Sequence, residues 1–186
     1  MNIIPTVTSG DRTCDIVSTL LDQRIIMLQG PITSETAMLI NAQLLFLASK
    51  GNEDIEMYID SPGGSVSAGL SIIDTMNHIK PDVATICNGI AASMGAVILS
   101  SGAQGKRYMF PHSECMIHQP STGVEGKESD IRIVAEHIAR TKRELINILS
   151  ANCRQEIEKV VKDIESDYYM DALESVSYGI ADSILF

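Results

Sequence analysis

Three short runs rich in β-branched residues, RIIMLQ at 24–29, IEMYI at 55–59 and VATIC at 83–87, are separated by stretches of helical character around 34–50 and 66–79. A hairpin needs only a few residues between its strands, so spacings this long require crossovers, and crossovers pair strands in parallel. The chain is therefore predicted to be α/β. RYMF at 107–110 and ECMIH at 114–118, separated by Pro111, His112 and Ser113, continue the strand pattern. The first ten residues end in polar turn formers and read as a mobile segment leading into a short helix near Cys14 to Asp22.

With 186 residues and 45% hydrophobic content, the chain can bury the core of one domain but not of two ordinary enzyme domains. A formal charge of −10, from 24 acidic and 14 basic residues, repels phosphate backbones and argues against nucleic acid as a partner. Cys14, Cys87, Cys115 and Cys153 have no C-x-x-C spacing, so neither a zinc site nor a disulfide framework is indicated. MNIIPTVTSG lacks a basic segment followed by a long apolar run, and no stretch is apolar enough to span a membrane. The expectation is a cytoplasmic protein with no membrane partner.

From Ser129 the sequence SDIRIVAEHIARTKRELINILSANC predicts one long helix opening on a Ser-Asp cap. Ile131, Val134, Ala135, Ile138, Leu145 and Leu149 share a stripe, while Ile133, Ile146 and Ile148 fall off it. So broad an apolar surface fits either a helix covering the sheet or one that also packs on another subunit.

Three segments could carry chemistry. In CNGIAASMGAVILSSG (87–102) a strand runs into small residues and Ser93, then into an apolar helix. A serine at such a junction presents its hydroxyl where free N–H groups stabilise negative charge, although a simple helix cap would look the same. In YIDSPGGSVSAG (58–69) a strand meets a glycine-rich turn lacking the Gly-Lys-Ser/Thr ending of a nucleotide loop. Its exposed amides suit an oxyanion hole better: the N–H of Gly64 with that of Met94, the residue after the serine. A plain turn is the alternative. His118 closes an apolar run at a loop, where bases often sit, but His78, His112 and His137 compete with it. Asp163, Asp167, Asp171 and Asp182 all remain candidates for an orienting acid.

Taken together, SPGG at 61–64, GIAASMGA at 89–96, MIHQP at 116–120, and a closing D-x-E-x-D followed by YG-x-x-DSI resemble the ClpP family in order and spacing. The likeness runs from IPTV at 4–7 to Ile184. It implies Ser93 as nucleophile, His118 as general base and Asp167 as the carboxylate that orients it, with Gly64 and Met94 as oxyanion donors. It also implies one peptidase domain over 1–186 with the ClpP/crotonase fold: a head of repeated β-β-α units in a spiral, a long-helix handle over about 119–155, and a mobile axial segment at 1–11. The partners implied are further copies of the chain, in heptameric rings stacked as a tetradecamer, a separate AAA+ Clp ATPase of the ClpX, ClpA or ClpC type, and polypeptide substrates. The chemistry needs no metal or organic cofactor, and ATP would be used by the partner ATPase.

The departures are specific. The segment after IPTV is short, so the axial loops are expected to be reduced. The position before the acid, commonly arginine in the family, is Ser166 beside Glu165, which removes the usual ring-to-ring ion pair. Two positions at the ATPase-docking cleft that are usually aromatic are Glu56 and His78, although Tyr58 is kept. Two rival readings are a partner subunit that completes a mixed barrel with a paralogue, and a crotonase-like acyl-CoA enzyme using paired amides without a triad.

Overall fold

A computed structural model describes residues 5–9 and 12–186. The alternation read from the sequence becomes a parallel ladder of β3 (Ile25–Gln29), β4 (Ile55–Ser61) and β5 (Val83–Ala92), connected by α2 (Ser34–Lys50) and α3 (Val66–His78). Helix α2 has the predicted bounds because Thr33 caps it, accepting from the Thr36 N–H, with Glu35 in its first turn and Lys50 in its last. Ile26, Leu28, Ile55, Met57 and Ile59 from the strands, and Leu44 and Ile72 from the helices, are sealed from solvent. That apolar burial is what stabilises the layers against one another.

Strand β5 is ten residues long and serves two neighbours in tandem. Thr85, Ile86 and Cys87 pair with β6 (Arg107–Met109), whereas Ile90, Ala91 and Ala92 pair with β7 (Glu114–Ile117). The switch is made at a bulge. Ile59 pairs with Cys87 but Ser61 pairs with Ala91, so residues 88–90 stand opposite Asp60 alone. The Asp60 carboxylate accepts from the Ile90 N–H at 3.1 Å, and a Cβ on Gly89 would collide with that carboxylate. The remaining elements are α4 (Met94–Ser100), α5 (Glu128–Cys153), α6 (Ile157–Asp163), β8 (Tyr168–Met170), α7 (Ala172–Tyr178) and β9 (Ser183–Ile184). Strand β9 joins β6 in parallel, and β8 runs antiparallel to β7, an exception to the parallel rule read from the sequence.

The amino-terminal region differs from expectation. Thr6–Ser9 (β1) and Arg12–Asp15 (β2) form an antiparallel ribbon, so Cys14 lies in a strand and α1 spans Ile16–Asp22. The helix starts there because the Asp15 side chain caps it, accepting from the Ser18 N–H at 2.9 Å. The rest of the expected axial segment, residues 1–4 and 10–11, lies outside the described residues.

Helix α5 also begins elsewhere than predicted. Its N-cap is Lys127 with no side-chain cap bond, and the Ser129 hydroxyl bonds Asp130 instead. Its buried residues, Leu145, Ile146, Leu149 and Cys153, all lie in the carboxy-terminal part, while Ile131 is 41% and Ile133 65% exposed. The expected stripe is therefore fully buried only where the helix meets α4 and α6, while Val134 and Ile138 are half-buried and the amino-terminal part projects. Among the described residues no helix is long and apolar enough to cross a membrane.

Arg107 ties the far side of the fold together. Its guanidinium is 4% exposed, pairs with Asp182 through Nε (2.9 Å) and Nη2, and donates to the carbonyls of Ser100, Asn152 and Gly179. Burial pushes the Asp182 carboxyl up, but the hydrogen bonds from the Arg107 side chain and backbone outweigh it and hold it below its ordinary value. A depressed carboxyl contributes stability above its unfolded-state pKa, and that contribution is lost as pH falls through the folded-state value. Asp182→Ala strands a buried cation and is expected to cost about 3 kcal/mol. Urea denaturation at neutral pH measures this, and the gap to the unchanged protein should narrow in acid.

Candidate active site

Ser93 sits where β5 ends and α4 begins, at φ 55° and ψ −120°, a conformation that L-residues rarely adopt. Such strain, of order 1–3 kcal/mol, persists only where the surroundings enforce it. Here the Ser93 N–H donates to the Met116 carbonyl at 2.7 Å, and its own carbonyl accepts from Ala96 and Val97. Every residue of α4 is buried, so the turn cannot relax outward. The Ser93 hydroxyl makes no cap bond to its helix, which removes the bland reading of this serine as a cap.

The hydrogen bond to Met116 ties the serine directly to the histidine strand. His118 follows Ile117, the last residue of β7, and its Nδ1 lies 3.3 Å from Asp167 Oδ1. The register explains the encounter. Cys115 pairs with Met170, Met116 with Tyr169 and Ile117 with Tyr168, so the next antiparallel step brings His118 opposite Asp167. The other candidate acids are engaged elsewhere. Asp163 accepts from Tyr178 and Lys159, Asp171 caps α7, and Asp182 holds Arg107. His137 lies on α5 against Arg140, and His78 ends α3.

The glycine pair comes to the same place. Gly64 bridges Ile32 in parallel, with the Ile32 N–H bonded to the Gly63 carbonyl and the Ser65 N–H to the Ile32 carbonyl. In a parallel bridge the middle residue keeps its own N–H for the opposite side, so the Gly64 amide is not consumed by Ile32. Met94 opens α4, where the first N–H groups have no helical partner. Gly63, which the sequence reading passed over in favour of Gly64, is the closer of the two to the serine. At φ +92° it approaches so tightly that a Cβ there would lie 2.7 Å from both Ser93 Cβ and the Ala92 carbonyl.

Ser93 and His118 share a cavity of about 20 Å³ with apolar walls that include Val66, Val97, Leu145 and Leu149. A pocket of about 330 Å³ adjoins it, with Val66 and Pro120 common to both. The cysteines offer no rival nucleophile in the core. Burial pushes the Cys87 thiol up, Cys115 well above the ordinary value and Cys153 to about 12, so all three stay protonated at neutral pH.

A Clp protease family model matches residues 8–186 of the chain. The chain belongs to the Clp protease family. It is 53% identical over 186 residues to an ATP-dependent Clp protease proteolytic subunit of Streptococcus mutans serotype c, an alignment covering 98% of this chain and 95% of that protein. Family membership makes this chain a peptidase subunit of the serine type, and the spiral of alternating strands and helices is the Clp architecture expected from the resemblance.

The departures from the Clp pattern now have positions. Glu165 and Ser166 are exposed in the turn that precedes β8. Glu56 is exposed on β4 and accepts from the Tyr58 hydroxyl at 3.3 Å, while the Tyr58 ring lies 6.4 Å from that of Phe110. Burial first, and then the Glu56 charge, push the Tyr58 hydroxyl up and keep it a donor.

Because a methyl group at Gly63 must displace the serine or the strand end beneath it, Gly63→Ala is expected to lower peptide hydrolysis by about a hundredfold, the scale of a reacting group misplaced by an ångström. Assay of the purified variant beside its circular dichroism spectrum checks that the loss is local.

Proposed function

We propose that this chain is the proteolytic subunit of a self-compartmentalised Clp protease, cleaving peptides and ATPase-delivered unfolded proteins through a Ser93–His118–Asp167 acyl-enzyme mechanism. The observation that carries the proposal is the β7–β8 register, which brings one of four competing aspartates to within 3.3 Å of His118, on the strand whose Met116 holds Ser93. His118 takes the hydroxyl proton through Nε2 as Ser93 attacks the peptide carbonyl. Asp167 holds the proton on Nδ1 and stabilises the imidazolium. The Gly64 and Met94 amides receive the oxyanion, each donor being worth about 2.7–4 kcal/mol of barrier. His118 then returns the proton to the leaving amine, and water, deprotonated by the same imidazole, hydrolyses the ester.

The adjoining pocket of about 330 Å³, with Val66, Leu70, Val134 and Ile138 in its walls, supports a preference for an apolar side chain next to the scissile bond. The projecting half of α5, with Ile131 and Ile133 exposed, supports contact between stacked heptameric rings. Four free cysteines, three of them buried apart from solvent, suit a cytoplasmic setting.

Ser93→Ala is expected to abolish peptide hydrolysis and fluorophosphonate labelling while leaving the fold intact. Adding His118→Ala should cost little more, because triad members act as a unit. Hydrolysis near the original rate by Ser93→Ala would exclude the mechanism and reopen the acyl-CoA reading.

Three positions favour a second, compatible reading: a subunit that depends on a paralogous ring. Ser166 supplies no guanidinium to a facing ring, so stacking should be weaker and salt-sensitive, which sedimentation across protein concentrations would reveal. Glu56 and His78 replace aromatic walls of the docking cleft. An apolar anchor there must either desolvate the carboxylate or forgo the contact. The chain alone should therefore degrade folded, tagged substrate poorly with its ATPase and ATP, and Glu56→Tyr with His78→Phe should raise that rate. Rapid degradation by the unmodified chain alone would exclude this dependence.

A further inference from the structure

The turn that delivers Asp167 is held by a residue with no part in the proposed chemistry. Gln119 follows His118 directly. Its backbone N–H donates to the Ile164 carbonyl at 2.7 Å, and its side-chain Nε2 donates to the Glu165 carbonyl at 3.0 Å. Its remaining side-chain atom, Oε1, accepts from Lys142 Nζ at 2.8 Å. Both groups of the amide are thus used, which fixes its orientation and points its donor at the backbone two residues before Asp167.

Lys142 stands at a mechanical boundary. It lies on α5 one turn before Leu145, where the helix begins to bury side chains in the core. Tied to Gln119, it links the base of the projecting helix to the acid-bearing turn. The anchor is a charge-assisted hydrogen bond between partly buried groups, roughly twice as strong as a neutral one. Asp167 has little else to hold it: its side chain is 58% exposed, and β8 is only three residues long.

We propose that Gln119, oriented by Lys142, is a positioning residue that sets the Asp167 carboxylate against His118. The inference rests on the triad reading above. Gln119 lines neither cavity beside Ser93, and both groups of its amide are engaged away from the serine. It acts by fixing the 164–166 backbone, whose displacement would lengthen a contact already at 3.3 Å.

The test compares Gln119→Ala, Lys142→Met and Lys142→Arg in the full chain, each with Asp167 present and with Asp167→Ala, by steady-state peptide hydrolysis and by the rate of Ser93 labelling with a fluorophosphonate, which stays measurable when turnover is slow. Gln119→Ala is expected to lower kcat and the labelling rate about tenfold or more with KM within about twofold, since the loss is one of alignment. Lys142→Met should lose less, and Lys142→Arg, which still offers a donor, should recover most of it. In the Asp167→Ala background both losses should nearly vanish, because no carboxylate is left to position. Equal losses in the two backgrounds, or loss appearing in KM, would overturn the positioning role and leave the triad standing. Full activity of Asp167→Ala by itself would instead overturn the triad reading and the positioning role with it.

Discussion

The bulge at Asp60 lets β5 change partners, and the site depends on that change. If β5 ran straight, its last residues would continue beside β6 and the histidine strand would find no free edge. By slipping against β4, with the Asp60 carboxylate taking the Ile90 N–H in place of a ladder carbonyl, β5 hands its final three residues to β7. The strand carrying the serine and the strand carrying the histidine then become neighbours, and the Ser93-to-Met116 hydrogen bond closes the junction. A carboxylate is well suited to this task. It accepts from backbone where the sheet has lost its regular acceptor, at the one place where Gly89 leaves it room.

Much of this was legible in the sequence, for identifiable reasons. Strand and helix periods placed β3, β4 and α2 because each has a buried face and clear end signals such as Thr33 and Lys50. The same logic failed at Ser129, where a plausible cap pair lies inside the first turn and Lys127 stands at the true end with no capping side chain. Local pattern also missed the β1–β2 ribbon, since short polar strands without a core face carry little signal. The bulge was invisible for another reason: Asp60 reads as an ordinary turn-forming residue until its partner thirty positions away is known.

The acid is the most instructive case. Composition offered four aspartates in one short region, and only the family resemblance preferred Asp167. The structure distinguishes them by occupation. Asp163, Asp171 and Asp182 are committed to a tyrosine and lysine, a helix cap and an arginine. Asp167 alone among the four meets a histidine. Such information is non-local by nature, for it depends on an antiparallel register between segments some fifty residues apart, set by backbone hydrogen bonds rather than by side-chain type. The same holds for Gln119 and Lys142, whose residue types suggest nothing beyond a polar surface.

Strand β8 has three residues and pairs only with β7 among the described strands. Proteins open locally in cooperative pieces, and the cheapest to open are those with few buried contacts and short ladders. Of β8, only Met170 is buried, while Tyr168 and Tyr169 keep much of their surface in water. Release of this segment would carry Asp167 away from His118 yet leave the β3–β4–β5 ladder in place. If Asp167 orients His118 as proposed, catalytic competence rests on a short edge segment and is lost at a smaller free-energy cost than the fold itself.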